Sequence, residues 1–246
     1  MSRGITAAIK YRFRDSLRAV RVYGAIVLGL AILTWLITLF DFHIYINGVH
    51  SNGAGGFQFG ALIFVFVAGI CTVREDLRLF LQNGMGRKTL FYTELFNAAL
   101  LAVSGALISF VTDLIFFIPG WADPYDTGYS AFRENFASAS YFQSYAILLA
   151  GLMLAVALGM FISMSFYRMN KAWTIITAVG VPLVVMNGIG SLGVLVVRKY
   201  SGIMKILKTI LEMPMLCAAA LLVIAVILLI FDWLLMRRAP VKVAGK

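Results

Sequence analysis

Histidine, cysteine and charge are all scarce in this chain, and each scarcity excludes a class of chemistry. The two histidines, His43 and His50, fall in one short loop without an HExxH pattern or a cysteine partner, so no zinc ligand set is expected there. Serines in the apolar runs have no histidine beside them, which leaves a triad hydrolase without its base. Cys71 and Cys217 both lie inside apolar runs, where a thiol behaves as a small hydrophobe, and two such residues make neither a disulfide framework nor a metal spacing. Charged residues are 13% of the 246 positions against 61% hydrophobic, and the mean hydropathy is +0.92. Soluble domains carry roughly half apolar and about a quarter charged residues. The composition leaves no room for a soluble domain, and residues 1–246 read as a single transmembrane domain. A phosphate loop is missing too: Gly86-Arg87-Lys88-Thr89 puts Arg where G-x-x-x-x-G-K-[ST] needs Gly, and no strand precedes it. The first twenty residues carry Arg and Lys throughout, without the apolar core of roughly 7–15 residues that a secretory signal needs.

What the chain does have is long apolar runs, each close to the ~20 residues that cross a bilayer as a helix. Six are expected, at about 24–40, 57–73, 94–118, 143–166, 172–197 and 214–236, making an all-α integral membrane protein. Before the first, residues 3–21 segregate at about 100° per residue, with Arg3, Lys10, Arg14, Arg18 and Arg21 on one face and Ile5, Ile9, Phe13, Leu17 and Val20 on another. Only Arg12 is misplaced. Such a helix is expected to lie in the headgroup plane against anionic membrane lipids. Residues 198–212 repeat the pattern more weakly, with Lys205, Lys208 and Glu212 opposite Ile203, Leu207, Ile210 and Leu211, and predict an amphipathic segment before the last span. Residues 119–142 carry Trp121, Tyr125 and Tyr129, aromatic residues of the kind that settle at membrane interfaces.

Net charge is +10, which in a membrane protein reports orientation before it reports nucleic acid. Of the 21 Lys and Arg, six precede the first span, four lie in 74–90, two in the turn at 167–171 and four in the tail. The excess of 16 over the remaining 5, among them the cluster at 198–208, predicts both termini and residues 74–90 in the cytoplasm. Ion-coupled carriers need ionisable groups near mid-membrane, whereas Asp41, Asp113 and Asp232 all fall near span ends, Asp113 where interfacial water could solvate it. The energy for transport is therefore expected from outside the membrane domain. Polar residues within the spans, including Asn97, Ser104, Ser109 and Asn187, read as interhelical hydrogen-bonding groups. Pro182 and the glycine-rich run at 187–193 predict either a kink in the fifth span or close helix contact. No internal repeat is evident.

Residues 74–90, REDLRLFLQNGMGRKTL, are odd for a connection whose only task is to reverse the chain. Turns favour Gly, Pro, Asn and Asp, but here a helix-like RLFL run meets a break at 83–86 and a basic restart at Arg87 and Lys88. Helix, break and restart suggest a surface element that a soluble partner grips.

The basic N-terminal helix, the six spans, the Gly-x-x-Arg-Lys turn and the amphipathic segment before the last span together resemble the permease subunits of ABC-2 type exporters. The fold implied is type V exporter-like. The phrase FLQNGMGRKTL at 80–90 is similar to one in the small permeases of Gram-positive bacteria. The resemblance implies a coupling helix in the first cytoplasmic loop, docked on a separate ATP-binding cassette ATPase. Its contacts would be Arg74, Arg78, Leu79, Phe80, Leu81, Gln82, Asn83, Gly84, Met85, Arg87 and Lys88. It also implies a second permease copy as a homodimer, a pathway lined by Phe64, Phe66, Met186 and Asn187, and ATP and magnesium held by the partner, with no cofactor in this chain. The location implied is a bacterial plasma membrane, and amphipathic peptides such as phenol-soluble modulins or bacteriocins are cargo that some small members export. A different class of protein, a non-transporting immunity or sensor protein, would use 74–90 only as an interaction platform.

Overall fold

The computed structural model describes residues 2–39, 56–116, 141–169 and 213–237. They form five helices: α1 (Ser2–Leu39), α2 (Gly56–Gln82), α3 (Arg87–Phe116), α4 (Tyr141–Arg168) and α5 (Pro214–Arg237). Four helices are long and apolar enough to cross a membrane, over Thr6–Leu33, Arg87–Leu114, Phe142–Arg168 and Pro214–Arg237, and α2 carries a shorter apolar run, Phe57–Thr72. The span expected at 172–197, the segment at 198–212, the aromatic residues of 119–140, His43, His50, Met186 and Asn187 lie outside the described residues.

Two expectations change. Residues 3–21 are not a helix of their own: α1 runs unbroken over 38 residues, about 57 Å at 1.5 Å per residue. Between Ile5 and Tyr23 there is neither Gly nor Pro to end a helix, so the basic segment propagates into the apolar one. Residues 74–82 are likewise no independent surface helix. They continue α2 past its apolar run, and only 83–86 interrupt the path into α3.

That interruption follows directly from its residues. Gly84 adopts φ 71°, the left-handed region open to glycine at little cost. The Met85 amide donates to the Phe80 carbonyl at 2.9 Å and the Gly84 amide to the Leu81 carbonyl at 3.1 Å, the paired bonds of a Schellman ending. Phe80 and Met85 pack together into the core, as that ending favours. The Asn83 side chain adds a bond to the Leu79 carbonyl at 2.8 Å.

Side-chain contacts fix the helix directions. Tyr11 meets Phe80 and Tyr23 stacks on Phe64, so α1 and α2 are antiparallel. Ser16 reaches Asn97 and Gly24 faces Ile108, so α1 and α3 are parallel. Gly151 faces Leu62 and Gly159 faces Phe66 and Ile70, which makes α4 parallel to α2. Phe91 on Trp233 and Arg87 on Arg237 set α5 antiparallel to α3. The N-termini of α1 and α3 and the C-termini of α2, α4 and α5 therefore share one end of the bundle, here called the basic end.

Helices α2 and α4 cross with their backbones in contact. A Cβ on Gly69 would sit 2.8 Å from the Val156 carbonyl oxygen, and one on Gly159 would overlap the Phe66 carbonyl. Small residues allow this approach where lipid supplies no hydrophobic drive between helices. Around the crossing, Val65, Leu101, Leu152, Val156 and Met160 form the core. The outer faces of α1 and α5 remain apolar and exposed, as at Ile26, Leu30, Val223 and Ile227.

Candidate functional site

Beneath the hairpin turn, three helices are joined by buried charge. Arg12 is the residue that broke the pattern of the N-terminal segment, and it lies with Ala8 and Ser16 on the side of α1 that packs inward. Its Nε is 2.9 Å from Asp76 Oδ2 on α2 and 4.0 Å from Glu94 Oε1 on α3, and its Nη1 is 3.1 Å from Asp15 Oδ2. The Arg12, Asp76 and Glu94 side chains are only 6%, 5% and 1% exposed. One turn deeper, Ser16 Oγ donates to Asn97 Oδ1. Charges taken out of water persist when a partner compensates them, so this cluster explains why Arg12 leaves the solvent face. Among the described residues, neither oxygen of Glu94 accepts a hydrogen bond.

The turn stands on this junction. Leu79, Gln82, Asn83, Gly84 and Lys88 are exposed at its tip, and Arg87, Leu81 and Met85 are half-buried. Phe80 is 2% exposed and belongs to the core, so the turn presents Leu79 and Gln82 outward rather than Phe80. Arg87 is also engaged: its Nη1 donates to the Arg237 carbonyl, placing a cation at the C-terminal, negative end of α5. Arg74 and Arg78 are described as α2 backbone only. Of the pathway residues expected, Phe64 is stacked on Tyr23 with ring centroids 4.1 Å apart, and Phe66 is half-buried at the glycine crossing.

The remaining polar residues divide into two kinds. Asp113 does more than meet interfacial water: its Oδ2 accepts from Tyr145 at 2.6 Å and from Gln58 at 3.2 Å, clasping α2, α3 and α4 at the end opposite the basic one. Ser104 and Ser109 were expected to bond between helices, and instead donate to the carbonyls of Leu101 and Gly105 in their own helix. Asp232 was expected near the cytoplasmic end of the last span; it lies toward the basic end of the bundle, fully buried on the inward stripe of α5 with Leu229 and Met236. Asp76 was read as part of the 74–90 turn and Glu94 as the first residue of the third span, so neither carboxylate was singled out. The signal available was Arg12 itself, a cation out of register with the stripe around it.

Comparison with protein-family models, with curated proteins and with solved structures finds no match for this chain.

Proposed function

We propose that this chain is the membrane subunit of an ATP-driven exporter, docking a soluble ATPase through the α2–α3 turn and moving an amphipathic solute. The observation that carries the reading is the turn: a glycine-terminated hairpin, seated on the buried Arg12, Asp76 and Glu94 cluster, presenting Leu79, Gln82 and Lys88 outward. A lever that a partner pushes must be stiff at its base and accessible at its tip, and this element meets both needs. The basic end then faces the cytoplasm, where Lys and Arg collect.

Topology supports six crossings. Because α4 and α5 are parallel, the chain must pass from the basic end to the opposite end between residues 169 and 213, and the apolar run at 172–197 is the segment able to do so through lipid. Both termini then fall on the cytoplasmic side. Pairing with a second copy and with two ATPase subunits completes the reading.

Lys88→Glu combined with Leu79→Asp tests it, since both side chains are exposed and neither supports the fold. Coexpressed with an ATP-binding cassette ATPase subunit from the same genome, the wild-type chain should copurify with that subunit and raise its ATP turnover, and the double variant should lose both while eluting as a folded protein. A folded double variant with undiminished copurification and turnover refutes docking at this turn.

A further inference from the structure

The continuous α1 carries its basic stripe to a depth where lipid cannot accommodate it. Tyr23 stacks on Phe64, and Phe64 is central in the apolar run Phe57–Thr72, so Tyr23 marks the middle of the bundle. Gly24 against Ile108 places it at the matching level of α3. Counted back along the helix at ~1.5 Å per residue, Arg21, Arg18 and Arg14 lie roughly 3, 8 and 14 Å from that mid-level. A hydrocarbon core ~30 Å thick reaches about 15 Å either side of its centre. A guanidinium on its stem reaches little more than one helical turn of ~5.4 Å, so Arg14 escapes to the interface, Arg18 barely does and Arg21 does not. All three are exposed on α1, and none has an ion-pair partner among the described residues. Cations at such depth pair with an anion or meet water.

We propose that Arg14, Arg18 and Arg21 form a ladder that takes the phosphate headgroup of an anionic phospholipid-like amphiphile and leads it from the basic end toward the mid-level of the bundle. The three occupy successive turns of one face, neighbours about 5–6 Å apart, a spacing that hands one phosphate from each guanidinium to the next. Exposed Val22 and Ile26 flank the inner end, so acyl chains stay in the bilayer while only the head travels. A peptide helix would need a second wall, and the stripe lies on the outer flank of a single helix. The ladder deepens the export reading by naming its substrate class, and it rests on that reading only for its purpose.

The test uses the full-length chain, without an ATPase, in phosphatidylcholine vesicles containing a minor fraction of phosphatidylglycerol. Spin-labelled lipids report how much of each species the protein immobilises. The wild type selects phosphatidylglycerol, and because Arg21 lies below the reach of bulk salt, part of the selection survives high ionic strength. At about 1 kcal/mol for each cation near an acidic lipid, Arg18→Gln with Arg21→Gln lowers the preference roughly 30-fold, whereas Lys10→Gln leaves the salt-resistant part intact. A disulfide between Ser16→Cys and Asn97→Cys, with Cys71 and Cys217 replaced by Ala, checks the register of α1. Equal immobilisation of the two lipids, selection abolished by salt, displacement by a soluble acidic peptide, or no disulfide would each overturn the ladder. None of these outcomes bears on ATPase docking, so the two readings fail separately.

Discussion

Removing the cation beneath the hairpin should cost far more than removing one beside it. In Arg12→Met, Asp76 and Glu94 lose a guanidinium nitrogen at 2.9 and 4.0 Å. At an effective dielectric of about 20, each such attraction is worth ~4–6 kcal/mol, of which desolvation offsets a large part. Leaving the Asp76 carboxylate buried without its partner should therefore destabilise by about 3–5 kcal/mol. Arg14 is exposed and has no ion-pair partner among the described residues, so Arg14→Met should move stability by no more than ~0.5 kcal/mol. Replacing all three charges in Arg12→Met, Asp76→Leu, Glu94→Met should recover most of the loss, because an apolar cluster of similar volume has no charge left to desolvate. Unfolding of the detergent-solubilised protein by rising SDS, followed by circular dichroism, measures each difference. Equal stability of the Arg12 and Arg14 variants would refute the buried cluster, and a triple variant no better than the single one would refute the electrostatic account of it.

Three further substitutions, each with its own comparator, probe the frame around that cluster. Gly159→Ala places a methyl against the Phe66 carbonyl, where backbone cannot yield as a side chain does, and should lower stability in the same SDS assay by about 1–3 kcal/mol. Gly151→Ala, with only the Leu62 side chain at 3.7 Å, should be nearly neutral. Gly84→Ala forces a Cβ into the left-handed conformation at φ 71° and should cost ~1–2 kcal/mol, while Gly84→Asn, which tolerates that region, should cost measurably less. Tyr145→Phe removes the 2.6 Å bond to Asp113 and should cost roughly 1.5–3 kcal/mol if the carboxylate is charged, with Ser104→Ala as an unaffected control.

Legibility in the sequence tracked how local each cause was. The membrane-spanning runs needed only summed hydropathy, and the break at 83–86 needed only Asn-Gly-Met-Gly, so both could be read from neighbouring residues. The end of α2 could not, because RLFLQ is an equally good start for a new helix and a continuation of the old one. Nothing between Val73 and Gln82 breaks a helix, which favours continuation, and Leu77 and Phe80 bury against the bundle. The same reasoning explains α1: amphipathicity is satisfied by lying flat or by packing on α3, and Arg12 distinguishes the two only when Asp76 and Glu94 are known to be neighbours. Gly69 and Gly159, 90 positions apart, form a contact that one sequence does not pair.

The arrangement of these contacts decides what moves with the hairpin. Helix α1 is tied to it by Arg12, by Tyr11 on Phe80 and by Ser16 on Asn97, and α5 by Arg87 on Arg237 and Phe91 on Trp233. Helix α4 is held elsewhere, at the glycine crossing and at the Asp113 clasp. A close-packed interior shifts between discrete arrangements instead of deforming smoothly. Helix α4 nevertheless packs on α2 and on α5 more extensively than any other pair of helices here, and α5 packs only lightly on α3. A push on the turn therefore carries α4 and α5 with α2, and any yielding falls first at the thinner α3–α5 contact. The backbone-to-backbone crossing at Gly69 and Gly159 is where that yielding is hardest, since main chain slides over main chain only if both helices separate. If the turn docks a partner as proposed, Gly159→Ala should affect coupling as well as stability, lowering the response of the bundle to that partner even in detergent conditions where the variant remains folded.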